Sequence, residues 1–159
     1  MIKRRIFAIL KYIMVIIIVI YLGVLLVQTG DSSRSFEQVA ASLEFQLAQS
    51  ELEEVGEIGF RNAYGLQMDE FEGVLMYAAP FRFSADEVLL LRLNHAAAVH
   101  DVRQIIEERI EERRNDFGDY APEQTFLLEQ ASIVVRGTYI FVAIGEDAAI
   151  YTQLFLDSL

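Results

Sequence analysis

The apolar positions in the first thirty residues are arranged differently from those in the rest of the chain. Residues 6–27 read IFAILKYIMVIIIVIYLGVLLV and contain one charge, Lys11. An apolar run of this length extends ~33 Å as a helix, which is enough to cross the hydrocarbon core of a membrane. Because Lys11 lies near the start of the run, its ammonium group can reach the headgroups. The pattern predicts an N-terminal transmembrane helix, with a cleaved signal peptide as the alternative.

Flanking charges predict how this helix is oriented. Four basic residues lie on its N-terminal side, whereas Asp31 and Arg34 nearly cancel on the other side. Basic residues that flank a membrane helix favour the cytoplasmic side. We therefore expect a single-pass protein of a bacterial cell membrane whose C-terminal domain is extracytoplasmic. Gly30-Asp31-Ser32 is a poor cleavage site, which favours a retained signal-anchor. The expected segments are a cytoplasmic stub and transmembrane anchor at 1–29, a hinge at 30–35 and the extracytoplasmic domain at 36–159.

The periodicity of apolar residues after the hinge predicts helices and short strands. Ser35 and Gln38 have the spacing of a capping box, and a helix with one apolar face follows them. Runs of strand-forming residues then occur four times, and Pro80–Ser84 and Gly137-Thr138 divide them into two hairpins. The expected strands are Gly73–Ala79, Asp86–Leu93, Ser132–Arg136 and Tyr139–Ile144.

Two longer helices are expected around the second hairpin, at Asn94–Asn115 and at Asp147–Leu156. Charged residues of the first of these, among them Arg109 and Glu112, are spaced as on a solvent-exposed helix face. The acidic stretch Glu51–Glu57 is interpreted as a loop or a frayed helix end. The order of elements predicts an α+β fold, a two-layer domain with a four-stranded antiparallel sheet (ββαββα) and helices on one face.

Charge and cysteine content narrow the classes of function. All 24 acidic residues lie after residue 30, together with 9 of the 13 basic residues, so this part has a net charge of −15. A domain this acidic does not bind nucleic acid through bulk electrostatics. Its charge favours solubility, and it is compatible with cations or cationic partners. The chain has no cysteine, so neither disulfides nor thiol chemistry contribute.

Three short motifs follow one another along the domain, with Phe155 after them. They are Ser84-Ala85-Asp86-Glu87-Val88, Tyr120-Ala121-Pro122-Glu123 and Gly137-Thr138-Tyr139-Ile140. In this order they resemble the domain-of-unknown-function family numbered 4358, over residues 36–159. The resemblance implies a secreted or membrane-tethered bacterial domain of uncharacterised activity, often a lipoprotein, and a gene context of envelope-polymer O-acylation. It implies no functional residues.

No catalytic or cofactor-binding motif is found in the sequence. His95 and His100 lie five residues apart on one expected helix, so they point ~140° apart and cannot share a site. Nucleophile elbows, zinc motifs and phosphate-binding glycine loops do not occur. We therefore expect no enzyme activity, no cofactor and no bound metal. The alternative is an enzyme or calcium-binding domain with an unrecognised carboxylate site, at Asp69–Glu72 or Asp116–Glu123.

The candidate contact residues for a partner are Phe81, Arg82 and Tyr120. Phe81 and Arg82 belong to the loop Pro80–Phe83 of the first hairpin, and aromatic and arginine side chains are enriched at binding hot spots. Strand alternation predicts that Phe83 turns inward while Phe81 and Arg82 stay exposed. Tyr120 is interpreted either as a recognition residue or as a plug at the edge of the core. The sequence thus predicts an interaction or accessory module of the bacterial cell envelope.

Overall fold

The computed structural model describes residues 14–19 and 34–159. The chain divides into two units, Met1–Asp31 and Ser32–Leu159. In the first unit, residues 14–19 are helical and their side chains are exposed. All other elements belong to the second unit, which is called the domain below.

The part of the domain that the structure describes contains five α-helices and five strands. The helices are α1 (Phe36–Leu47), α2 (Glu57–Tyr64), α3 (Val99–Phe117), α4 (Pro122–Glu129) and α5 (Ala148–Asp157). The strands are β1 (Glu53–Glu54), β2 (Phe71–Ala78), β3 (Glu87–Leu93), β4 (Ser132–Arg136) and β5 (Tyr139–Ile144). Short 3-10 helices occupy Met68–Glu70, Ala96–Ala98 and Gly118–Tyr120.

The five strands form one antiparallel sheet in the order β1-β2-β3-β5-β4. Each predicted hairpin is present, β2 with β3 and β4 with β5. The two hairpins join through β3 and β5, with Leu90 opposite Phe141. The short strand β1 extends the sheet on the β2 side, with Glu54 opposite Tyr77. The two edges of the sheet are therefore β1 and β4.

Helices cover both faces of the sheet. Along β5, Ile140 and Val142 point into a core formed with α2, α3 and α4, and we call this side the α3 face. Tyr139 and Phe141 point into a second core formed with α1 and α5, and we call this side the α1 face. Each face therefore has its own apolar cluster, and the sheet is the middle of three layers.

The structure is α+β, but it corrects the expected two-layer arrangement. The sheet has five strands, because β1 lies in the stretch Glu51–Glu57, for which the sequence predicts a loop or a frayed helix end. Two exposed glutamates carry no apolar alternation, so the pattern could not reveal a strand there. The prediction that helices cover only one face of the sheet is also wrong. Residues 88–91 of β3 are all buried, which is typical of a strand covered on both sides.

The N-terminal transmembrane helix of the expected fold is not supported by the structure. Among residues 14–19 and 34–159, no helix is long and apolar enough to cross a membrane. The rest of the run 6–27, and most of the predicted hinge at 30–35, lie outside the described residues. The extracytoplasmic location of the domain stays a prediction.

The long helix α3 begins later than the sequence indicates. Asn94 does not cap it, since α3 starts at Val99 after a turn of 3-10 helix. The Asn94 side chain instead donates a hydrogen bond from Nδ2 to the carbonyl oxygen of Glu70, at 2.9 Å. The helix then continues to Phe117. Its length matters for the site below, because its middle turns carry the arginines that reach the sheet.

Candidate binding cleft

A cleft of about 540 Å³ opens at the end of the sheet where β2 ends, β3 begins and β5 ends. Its walls come from residues 49–52 after α1, from the β2–β3 loop between 79 and 86, and from residues 144–147 between β5 and α5. Helices α4 and α5 complete the lining. The cleft is therefore built from loops at one end of the sheet, where binding residues commonly concentrate.

Ser84 and Asp86 of the first motif line this cleft. The Ser84 hydroxyl donates a hydrogen bond to the Asp86 carboxylate and accepts one from the Asp86 N–H, at 3.2 Å. Gly145 lies against this carboxylate with a φ of 134°. A Cβ at residue 145 would overlap Asp86 Oδ1, and the positive φ itself favours glycine. Asp86 is thereby held between the β2–β3 loop and the β5–α5 turn.

The helix that begins at Pro122 joins the second motif to the first. Pro122 lies in the first turn of α4, as the sequence predicts. Gln124 Oε1 accepts a hydrogen bond from the Ala85 N–H at 2.6 Å, and Gln124 also lines the cleft. The third motif lies at the opposite end of the sheet, where the Tyr139 hydroxyl donates to the carbonyl oxygen of Arg34 at 3.0 Å. The structure thus brings two of the three motifs together.

The lining of the cleft is acidic and partly apolar. Its carboxylates belong to Glu51, Asp86, Glu146 and Asp147, and the described residues that line it include no lysine or arginine. Its apolar and aromatic members are Leu52, Ala79, Pro80, Phe81, Leu127, Ile144 and Tyr151. Carboxylates beside low-dielectric walls concentrate negative potential. The arrangement therefore favours a positively charged group that carries apolar surface.

Glu87, the residue after Asp86, points to the α3 face and is only 1% exposed. Its carboxylate accepts a hydrogen bond from the Tyr64 hydroxyl. Two guanidinium groups of α3 pair with it, Arg109 through Nη2 at 3.0 Å and Arg113 through Nη1 at 3.4 Å. The Arg109 guanidinium also lies over the Tyr64 ring, 4.4 Å from its centroid. We call these four residues the Glu87 network.

The Glu87 network fixes the loop that forms one wall of the cleft. Arg113 Nη2 donates a hydrogen bond to the carbonyl oxygen of Ser84 at 2.7 Å. On the other side, Arg109 Nε donates to the carbonyl oxygen of Ala63 in α2, at 2.8 Å. One buried carboxylate therefore links β3, α2, α3 and the β2–β3 loop. Hydrogen bonds between charged groups of this kind have defined directions, which suits the positioning of a loop.

Burial shifts the pKa values of two members of this network, Tyr64 and Arg113. Burial raises the pKa of Tyr64 well above its ordinary value, and the charge of Glu87 raises it further while Arg109 opposes this. Burial lowers the pKa of Arg113, and Glu87 opposes that change. Tyr64 is therefore a neutral hydrogen-bond donor at neutral pH. With three donors around it and almost no exposure, the Glu87 carboxylate has a structural position and no access to a substrate in the cleft.

The sequence interpretation of Arg109 is wrong. It placed Arg109 on the solvent-exposed side of the helix with Glu112, whereas Arg109 and Arg113 both reach the sheet. The sequence did contain a signal for this arrangement. Glu87 and Leu89 are two residues apart on β3 and therefore point to the same face of the sheet, which for Leu89 is the core. A carboxylate in a core requires cationic partners.

The tip of the β2–β3 loop is exposed. Phe81 is 71% exposed and lines the cleft, whereas Arg82 is exposed but is not among the lining residues. The prediction that Phe83 turns inward is wrong, because its side chain is 76% exposed. Residues 81–83 form a turn, so strand alternation does not continue through them. The loop tip therefore presents two aromatic rings on either side of a guanidinium group.

Tyr120 lies apart from this loop and outside the cleft lining. Its side chain is 65% exposed, and its ring centroid is 6.2 Å from that of Phe117. A side chain this exposed does not plug the edge of the core, so the structural interpretation of Tyr120 is wrong. Its role as a partner contact stays a prediction.

The two histidines and the predicted acidic clusters are not among the residues that line the cleft. His95 and His100 are both exposed, and neither lines the cleft. His95 borders a smaller pocket of about 260 Å³ beside Glu70 and Asn94. Across residues 14–19 and 34–159, no group of three or more His, Asp or Glu residues is placed to hold a metal ion.

Together these features define a three-layer α+β domain with a loop-built acidic cleft at one end of an antiparallel sheet. Residues 45–145 match the model of a family described as a domain of unknown function, DUF4358. The chain belongs to this family, which confirms the resemblance of its motifs. The match includes all five strands and most of the cleft lining. No curated protein and no solved structure matches the chain.

Proposed function

We propose that the chain is an interaction module that binds a basic segment of a partner protein in the acidic cleft. The observation that carries this proposal is the cleft of about 540 Å³, whose charged lining residues are all carboxylates. A lysine or arginine side chain combines a cation with an apolar stem, and the lining offers both kinds of contact. Electrostatic attraction would also accelerate the encounter with such a partner.

Phe81 is the proposed anchor at the rim of the cleft. It is exposed, it lines the cleft, and its loop is held by the hydrogen bond from Arg113 to the Ser84 carbonyl oxygen. An aromatic ring on a held loop loses little conformational entropy on binding. Arg82 would then lie at the rim of the interface, where charges affect the association rate and the choice of partner.

A catalytic role for the cleft receives less support from its geometry. The Ser84 hydroxyl donates to the Asp86 carboxylate, but the usual base of an activated serine is a histidine that a third group orients. His95 and His100 do not line the cleft. We therefore propose binding without catalysis, with a partner in the bacterial cell envelope.

Photo-crosslinking tests this proposal directly. A photoreactive phenylalanine analogue replaces Phe81 in cells, and mass spectrometry identifies what is crosslinked. The control position is Phe45 on α1, which is 76% exposed, against 71% for Phe81. The proposal expects that the probe at residue 81 crosslinks to a specific partner and that the probe at residue 45 does not crosslink to the same protein. Identical crosslinks from both positions would mean that exposed aromatic rings bind without selectivity.

Charge variants test whether the cleft selects the partner. We expect Glu146→Gln with Asp147→Asn to weaken the crosslink from residue 81 by about tenfold, since two favourable charges are lost. The matched control is Glu44→Gln with Asp101→Asn, which changes the net charge equally at exposed residues outside the lining. Equal losses in the two double variants would contradict binding in the cleft.

A further inference from the structure

The two edges of the sheet differ in how they are protected against further strand pairing. β1 is two residues long, and both are exposed glutamates, Glu53 and Glu54. Short, charged edge strands resist the addition of another strand. β4 is five residues long, reads SIVVR, and contains neither proline nor a register shift against β5. The β1 edge is therefore protected against further pairing, whereas β4 has the sequence of a strand that could pair on both sides.

The register of β4 determines which of its backbone groups face outward. Arg136 lies opposite Tyr139 across the two-residue turn, and residues that flank such a turn hydrogen-bond to each other. Alternation then directs the N–H and C=O groups of Ile133 and Val135 away from β5. In agreement, the outward carbonyl oxygen of Val135 accepts a hydrogen bond from the exposed Arg136 side chain, at 3.0 Å. A strand that pairs with β4 takes the place of this side chain.

We propose that a second copy of this chain pairs with β4, antiparallel and about a two-fold axis at Val134. In this register Ile133 lies opposite Val135 of the second copy, so the outward groups of each copy meet. Each such pair exchanges two backbone hydrogen bonds. The two five-stranded sheets would join into one continuous sheet of ten strands.

The charges of the strand support a second copy in this register. Ser132 lies opposite Arg136 of the second copy, so no like charges face each other across the pairing. The three central residues, Ile133, Val134 and Val135, are β-branched and favour cross-strand contacts. A symmetric contact of this kind is self-complementary and closes at two subunits.

The expected dimer is weak. One strand pairing buries little surface compared with a stable interface, and each domain carries a net charge of −15 in the region after residue 30. Repulsion between two such domains is screened by salt. The association should therefore strengthen as the ionic strength rises, which is opposite to the behaviour expected for the basic partner in the cleft.

Two substitutions at Ser132 separate pairing at β4 from the effect of overall charge. Both lose the hydrogen bond between the hydroxyls of Thr152 and Ser132, 2.9 Å long, so they share the same local loss. Ser132→Glu places a carboxylate opposite Arg136 of the second copy, whereas Ser132→Arg places a cation there. The proposal expects tighter association for Ser132→Glu and weaker association for Ser132→Arg. Overall charge alone gives the reverse order, because Ser132→Glu makes an acidic chain more acidic.

Analytical ultracentrifugation of the full chain measures the dissociation constants. We expect about a tenfold difference in each direction from the unsubstituted chain, because the symmetric contact contains the new charge pair twice. Residues 6–27 are identical in all three proteins, so association through them does not by itself rank the variants. Hydrogen exchange provides a second measurement, in which the amides of Ile133 and Val135 become protected as the protein concentration rises. A monomer at all concentrations, the reverse order of the variants, or unchanged protection would overturn the proposal.

Discussion

The two faces of the sheet are stabilised by different chemistry. On the α1 face, Phe141 and Phe155 stack with their ring centroids 4.7 Å apart, inside a cluster of apolar side chains. On the α3 face, a comparable apolar cluster encloses Glu87, with Arg109 and Arg113 paired to it. The first face depends on packing, and the second depends on packing together with directed charge interactions.

This difference shows which face positions the binding cleft. Apolar packing is non-directional and tolerates changes of shape that preserve volume. A buried ion pair adds little net stability compared with apolar residues, but the loss of one partner leaves an uncompensated charge. Because Arg113 pairs with Glu87 and also donates to the Ser84 carbonyl oxygen, the Glu87 network couples the α3 face to the cleft wall.

The largest expected effect follows from removing the carboxylate at the centre of the network. Glu87→Ala leaves two partly buried guanidinium groups without their counter-charge, which costs up to about 3–5 kcal/mol of the free energy of unfolding. Urea denaturation measures this loss. The control is Glu107→Ala, which breaks an exposed pair with Arg103 at 2.8 Å and should cost at most about 1 kcal/mol. Similar costs for the two variants would show that the α3 face does not depend on the network.

An intermediate effect is expected from Tyr64→Phe, which removes one donor to Glu87. Below the ordinary tyrosine pKa of about 10 we expect a loss of about 1.5–3 kcal/mol, as for hydrogen bonds to charged groups. The folded-state pKa of Tyr64 is raised, so its contribution is fully present below pH 10 and is lost as the pH rises above that value.

The difference in stability between the unsubstituted chain and Tyr64→Phe should therefore shrink above pH 10. The variant itself should still lose some stability at high pH, because burial also raises the pKa values of Tyr77 and Tyr139. Thermal melts at pH 7 and at pH 11 provide the comparison. A difference that stays constant over this range would contradict the assignment of Tyr64 as a neutral donor.

The smallest effect is expected on the α1 face. Phe155→Leu removes the stacked ring from Phe141 but keeps an apolar side chain, so we expect a loss of roughly 1–2 kcal/mol. Because the Tyr139 ring packs against Phe155, with 6.3 Å between the ring centroids, the loss is measured by urea denaturation at pH 7, below the ordinary tyrosine pKa of about 10. The substitution should also leave the crosslink from residue 81 unchanged. Loss of the crosslink in a folded Phe155→Leu protein would show that both faces position the cleft.

The sequence predicted the elements with strong patterns and missed those that depend on tertiary contacts. The hairpins around Pro80–Ser84 and Gly137-Thr138, and the helix beginning at Pro122, have local turn and cap signals, and the structure contains them. β1 has no such signal, because it is a strand only through its pairing with β2. Helix spacing alone could not show which way Arg109 turns, since that depends on a carboxylate 22 residues earlier in the chain.

The candidate site was predicted only in part. Phe81 and Arg82 were named from their residue types and loop position, and the structure places Phe81 at the cleft. The cleft itself combines residues from 49–52, 79–86 and 144–147. These segments lie far apart in the sequence, and no local pattern indicates that they meet. The contact between Gly145 and Asp86 shows why the glycine is needed, but only once the strands are aligned.

A titration followed by amide chemical shifts tests the central claim most directly. A short arginine-rich peptide is added to the chain, and the shifts of all amides are recorded at low and at high salt. Binding in the cleft predicts saturating shifts at Ser84, Gly145 and Glu146 that weaken as salt rises. Shifts spread over the acidic surface, with Glu44 and Asp101 responding as strongly as Glu146, or no shifts at any peptide concentration, would contradict the proposed recognition of a basic partner.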